Sequence, residues 1–152
     1  MKKNLSLFEL KKFSQINKKK GKKIILAHGT FDILHVGHIK HLEYAKKFAD
    51  ILIVTITADK FVKKGPDRPF FSQYNRSEML NSLSIVDKVS IVNEPSAEAS
   101  IKNVKPNFYI KGIEYKNAKN DVTKKIYKEK KLVEKYGGKI IYSDEETFSS
   151  SN

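Results

Sequence analysis

Residues 51–57, ILIVTIT, are apolar almost without interruption. A strand with one wet face alternates apolar and polar residues, whereas an unbroken run marks a strand covered on both faces. Such a strand needs helices on both sides of its sheet, supplied by βαβ crossovers. The rest of the chain has the parts. IILA (24–27), KVSIV (88–92), NFYIK (107–111, after Pro106) and KIIY (139–142) read as further strands. From Val36, the residues Ile39, Leu42, Ala45 and Ala49 mark an amphipathic helix. Met79, Leu80 and Leu83 place another near 73–84. SAEASIKNV (96–104) reads as a short helix capped by Ser96, and residues 121–138 as a long one, with Asp121 near its start and Gly137 near its end. Ahead of the first strand, Ser6 and Glu9 have capping-box spacing, and Leu7, Leu10, Phe13 and Ile16 continue a helix over 7–17. Strand and helix then alternate through the chain. The predicted architecture is a single α/β domain with a doubly wound, five-stranded parallel sheet and right-handed crossovers. Residues 1–21 form an N-terminal helix and linker, and residues 22–152 the domain proper.

Composition narrows the setting. The 152 residues suit one domain with its own core. There is no cysteine, so disulfides and thiolate metal sites are excluded. The basic N-terminus MKKNLSLFELKKF leads into no apolar run, so neither a signal peptide nor a membrane span is predicted. A cytoplasmic protein is expected. The net charge of +13 comes mostly from scattered lysines, the pattern of a solvated surface. It also suits an anionic partner: nucleic acid, an anionic membrane or a polyphosphate. Neither RNP-type aromatics nor a recognition-helix pattern is present, so a nucleic-acid-binding module is the rival class, not the leading one. No nucleic-acid or membrane partner is expected.

All four histidines, His28, His35, His38 and His41, fall in one short segment, LAHGTFDILHVGHIKH. The segment follows the first strand and enters the first crossover helix. In a doubly wound sheet, ligands bind at the carboxyl ends of the strands. The chain has no G-x-G-x-x-G and no P-loop, and its Gly137-Gly138-Lys139 lacks the upstream glycine and precedes a strand. His35-Val36-Gly37-His38 offers another phosphate site. A helix N-terminus supplies N–H donors and a positive dipole end, Gly37 presents no side chain, and two imidazoles aim donors at one anion. Such donors suit the growing charge of phosphoryl or nucleotidyl transfer. A metal reading fares worse: only His38 and His41 share a helix face, and no carboxylate stands close by. No metal site built from protein side chains alone is expected.

GTFD followed by HVGH resembles the cytidylyltransferase-like nucleotidyltransferases, whose signature is H-x-G-H. The likeness runs from about Lys22 to Asn152, through FDILHVGHIKHLEYAKKFADILIV, KGPDRPF with YNR, VDKV, PNFYIKGIEY and TFSSSN. It is closest to adenylyltransferases of heptose phosphate and related sugar or alcohol phosphate enzymes, with glycerol-3-phosphate cytidylyltransferase more distant. The resemblance implies a Rossmann-like fold and transfer of CMP or AMP from CTP or ATP to a phosphorylated sugar or small alcohol, with release of pyrophosphate. Heptose 1-phosphate is the specific acceptor of the nearest branch. Mg²⁺ would accompany the triphosphate.

The resemblance also implies residue roles. His35, His38, Lys64 and Arg76 would act in catalysis. Gly29, Thr30, Phe31, Gly37, Lys63, Lys111, Gly112, Glu114, Thr147, Ser149, Ser150 and Ser151 would hold the nucleotide. Asp32, Asp59 and Arg76 would meet the acceptor, with Arg76 on its phosphate. Two departures stand out. Asp144 lies about where glycerol-3-phosphate enzymes carry an arginine, which favours the heptose branch. Relatives continue into a helix where this chain stops at Asn152, which suggests either a piece of a longer chain, such as a fusion to a sugar kinase, or a stand-alone variant. A homodimer is expected as well. The GTFD form of the first motif favours CTP. A nucleotide binder without turnover is a further alternative, against which the intact His35/His38 pair speaks.

Overall fold

The computed structural model describes residues 4–62, 65–112 and 125–143. Five strands form one parallel sheet: β1 (Ile24–Gly29), β2 (Ile51–Thr57), β3 (Lys88–Val92), β4 (Phe108–Lys111) and β5 (Lys139–Tyr142), in the order β3-β2-β1-β4-β5. The helices are α1 (Leu7–Lys19), α2 (Val36–Lys46), α3 (Gln73–Asn81), α4 (Glu98–Val104) and α5 (Lys125–Lys135). Every residue of β2 is buried, as its unbroken apolar run requires.

Side chains alternate across each strand, and the two faces build two cores. Ile24, Leu26, Ile51, Ile53 and Tyr109 face α1, α4 and α5, with Leu10, Ile101, Ile126 and Val133. Ile25, Ala27, Leu52, Val54 and Ile110 face α2 and α3, with Leu42, Ala45 and Leu80. Because β1 is followed by β2 on one side and paired with β4 on the other, the strand order reverses between β1 and β4. A crevice opens there at the carboxyl edge of the sheet.

α1 is a built-in part of this fold rather than a lead-in to it. Ser6 and Glu9 form both bonds of the capping box, at 3.1 and 3.0 Å. Leu10 is fully buried, Ser14 Oγ donates to the Val104 carbonyl at the end of α4, and the Leu5 amide donates to Val89 on β3. α4 starts two residues later than its sequence suggests. Ser96 still accepts from the Glu98 amide, but Ala97 occupies the cap position. At the far end of α5, Gly138 packs against Pro106 and Val133: a Cβ there would stand 2.3 Å from the Pro106 carbonyl oxygen.

Candidate active site

The opening of α2 is built from the two motif histidines. His35 is the N-cap, in extended conformation, and its Nδ1 accepts from the Gly37 amide at 3.0 Å. His38, three residues on, returns the bond: its Nδ1 accepts from the His35 amide at 3.2 Å. This is a capping box with imidazoles in place of Ser and Glu. Its chemical consequence is a fixed tautomer. A neutral imidazole whose Nδ1 accepts carries its proton on Nε2. The two rings lie together at the helix N-terminus, centroids 4.0 Å apart. The Gly37 amide, expected to help hold a phosphate, is engaged by His35.

Beside them a cavity of about 370 Å³ lies over the β1/β4 crevice. Its lining comes from both faces of the sheet. Phe31, His38 and His41 stand on the α2 side, and His28, Thr57, Pro95–Ala97 and Glu129 on the α4/α5 side, with Lys111 and Gly112 at the end of β4. His35 is not part of the lining; it stands exposed at the rim. Phe31 adopts φ +52° and its ring centroid lies 5.3 Å from that of His38. The space a Cβ on Gly29 would need is taken by this ring, 3.1 Å away. A side chain on Gly29 would press on the Phe31 ring.

His28 and His41 complete the histidine set differently. His28 pairs in register with Thr55, and its Nδ1 lies 2.8 Å from Thr55 Oγ1, with Nε2 3.4 Å from Thr57 Oγ1. Desolvation, with Lys111 and Lys125 nearby, pushes its pKa down to about 3. His41 is buried on α2, and desolvation, His38 and Lys111 push it down to about 4. Both rings are neutral at ordinary pH.

Asp32 and Arg76 are placed otherwise than the resemblance implied. Asp32 is buried and accepts from the amides of Phe70 and Phe71 and from Arg68 Nη1, at 2.9, 3.0 and 3.2 Å. Burial alone would raise its pKa, but these donors outweigh it and the carboxyl titrates below the usual range. Arg76 is fully buried. Its Nε donates to the Phe71 carbonyl, Nη1 to the Thr30 carbonyl and Nη2 to Asp59 Oδ1, at 3.1, 2.8 and 2.7 Å. A guanidinium used on all three nitrogens and closed to solvent does not orient an acceptor phosphate. Arg76 positions instead: it ties the loop before α3 and the turn after β2 to the GTFD turn. Asp59, expected at the acceptor, is Arg76's counter-ion.

Comparisons with known proteins converge on one family. Residues 26–152 match the family described as Cytidylyltransferase-like. The chain belongs to the cytidylyltransferase-like family. Among similar curated proteins, the bifunctional protein HldE of a Nitratiruptor species is 43% identical over 133 residues, 86% of this chain and 29% of that protein. HldE of Aliarcobacter butzleri is 45% identical over 121 residues, 78% of this chain and 25% of that protein. The chain spans about a quarter of the length of these relatives. A solved lipopolysaccharide core biosynthesis protein from Thermoplasma volcanium superposes with a TM-score of 0.67 at 27% identity, covering 82% of this chain and 98% of that one. Pantoate-beta-alanine ligase from Francisella tularensis shares the fold, with a TM-score of 0.60 at 18% identity over 94% and 67% of the two chains.

Within this cytidylyltransferase-like site, Gly29, Thr30, Phe31, His38, Lys111 and Gly112 meet at the cavity. Lys63, Lys64, Glu114, Thr147, Ser149, Ser150 and Ser151 lie outside the described residues. Sequence reasoning missed His28, Thr57, Ala97 and Glu129. For Glu129 a signal existed: it follows Ile126 by three residues and precedes Val133 by four, which places it on the inward face of α5. Among the described residues no group of three or more His, Cys, Asp or Glu side chains has the geometry to hold a metal, and no helix is long and apolar enough to cross a membrane.

Proposed function

We propose that the chain transfers a nucleotidyl group from ATP or CTP to a phosphorylated sugar. The observation that carries this reading is the imidazole capping box, which aims two Nε2–H donors from the start of α2 beside a cavity at the strand reversal. The resemblance to heptose phosphate adenylyltransferases, together with the HldE relatives, favours ATP as donor and heptose 1-phosphate as acceptor.

The reaction asks little covalent chemistry of the protein. An oxygen of the acceptor phosphate attacks the α-phosphorus, a new P–O bond forms, the bond to the bridging oxygen breaks, and pyrophosphate leaves with the electron pair. His35 and His38 donate to phosphate oxygens as charge builds in the five-coordinate state, and the helix N-terminus adds its dipole. The Asp32 and Arg76 clamps hold the GTFD turn so that the two substrates meet in line. Mg²⁺ prefers oxygen ligands, which the triphosphate supplies and this histidine-rich corner does not. It therefore enters as part of the Mg·nucleotide substrate and shields its charge. Lys63, Lys64, Thr147 and Ser149–Ser151 are proposed to close on the phosphates.

The test is pyrophosphate release in the presence of Mg²⁺, each of ATP, CTP, GTP and UTP, and a panel of sugar 1-phosphates. Release that depends on both a nucleotide and a sugar phosphate is expected. Release with no acceptor dependence, or none with any pair, would overturn the proposal.

A further inference from the structure

We propose that Glu129 reads the exocyclic amine of the nucleotide base, selecting adenine or cytosine over bases with a carbonyl at that position. The inference rests on the nucleotidyltransferase reading above and adds the residue that sets base choice.

Glu129 is 5% exposed and lines the cavity from α5. Its Oε1 accepts from the fully buried Tyr109 hydroxyl at 2.8 Å. That is its one hydrogen bond among the described residues, which leaves Oε2 to the cavity. A carboxyl group has acceptor sites on both oxygens, and the tyrosine bond uses only one of them. Burying a polar side chain with one oxygen unbonded is costly, so a second donor, from the cavity side, is called for. A structural prop for Tyr109 would need only a neutral acceptor.

The layout of the site says which donor. The phosphate end lies at α2, on the face packed by Leu42 and Ala45. Glu129 belongs to α5, on the opposite face, packed through Ile126 and Val133. Lys111 and Gly112, at the end of β4, stand between. A nucleotide with its phosphates at His38 therefore crosses the sheet edge and brings its base, the end farthest from the phosphates, to Glu129. His28, on this same face, offers its ring beside the base. The amines of adenine and cytosine donate to a carboxylate; the carbonyls of hypoxanthine and uracil oppose it, acceptor against acceptor.

The experiment is calorimetric titration of the unaltered chain with ATP, ITP, CTP and UTP in Mg²⁺, repeated on Glu129→Gln. The glutamine keeps an acceptor for Tyr109 and adds a donor, so it suits either base. In the unaltered chain the preferred amino nucleotide should bind roughly ten-fold or more tightly than its oxo counterpart. In Glu129→Gln that ratio should fall toward one, while affinity for inorganic tripolyphosphate stays the same. An unaltered chain that binds nucleotides without discriminating amine from carbonyl would overturn the role of Glu129 alone, with no variant needed. So would a ratio that survives the substitution, or a loss in Glu129→Gln that tracks the 2′-hydroxyl, tested with 2′-deoxy-ATP, instead of the amine. No binding of any nucleotide to the unaltered chain would sink the underlying nucleotide site as well.

Discussion

His35 and His38 do two jobs with one ring each. Nδ1 caps the start of α2, and on the proposed reading Nε2 serves the phosphates. The structural share is small, since losing an N-cap costs about 1 kcal/mol. On the proposed reading the catalytic share is large, since donors aimed at developing charge are worth about 10²–10³ in turnover. His38→Ala should therefore lower kcat by two or more orders of magnitude while its melting temperature moves by only a few degrees, as steady-state rates and a thermal melt would reveal. His28 and His41 give a different residue-scale prediction. Their folded pKa values, about 3 and about 4, lie below the ordinary 6.5. As pH falls through 6.5 the unfolded chain binds protons that the folded chain refuses, so stability is present above that pH and lost below it, by about 1.4 kcal/mol per pH unit for each ring. Urea denaturation between pH 7 and 5 should show this loss, and His28→Asn should flatten the slope. The motif pair was legible in the sequence because it falls between the first strand and the helical apolar pattern that begins at Val36. Arg76 was not: an arginine near a phosphate loop reads the same whether its fork faces a ligand or three protein oxygens, and only packing decides.

At the scale of elements, boundaries followed local chemistry. Ser6 and Glu9 fixed the start of α1 as their spacing indicated, and Gly21, at φ +79°, lies just past its end. The start of α4 slipped because the Ser96 hydroxyl serves Glu98 without Ser96 becoming the cap residue. The joint between the loop before α3 and the turn after β1 was invisible, since both partners are loops and their register to one another is set in three dimensions. Arg76→Ala should break that joint, leaving Asp59 and two carbonyls unpaired; a loss of about 3 kcal/mol is expected, read as a lower urea midpoint. A substrate-only role would leave the midpoint unchanged. Gly138→Ala is expected to be equally harmful, because its Cβ would meet backbone rather than a yielding side chain. That too is a urea-midpoint measurement, and a neutral outcome would mean that α5 can shift along β5.

For the whole molecule, the apolar run of β2 and the regular alternation of strand and helix were enough to read the sheet, its parallel sense and the edge over which the cavity opens. Which residues face each other across that edge was not readable, because β1, β4, α2 and α5 are far apart in the chain. The net charge of +13 belongs at this scale. Spread over the surface, it should draw in an anionic nucleotide from a distance, so the KM for Mg·nucleotide should rise with added KCl while kcat stays nearly level. A salt-independent KM would mean the lysines face away from the cavity.

The cavity lies across the sheet edge, with His38 reaching it from α2, which packs on one face, and Glu129 from α5, which packs on the other. The two cores lie on opposite faces of the sheet, so substitutions around α5 should leave the packing beneath α2 undisturbed. A descendant of this chain could exchange one donor nucleotide for another and inherit its catalyst intact.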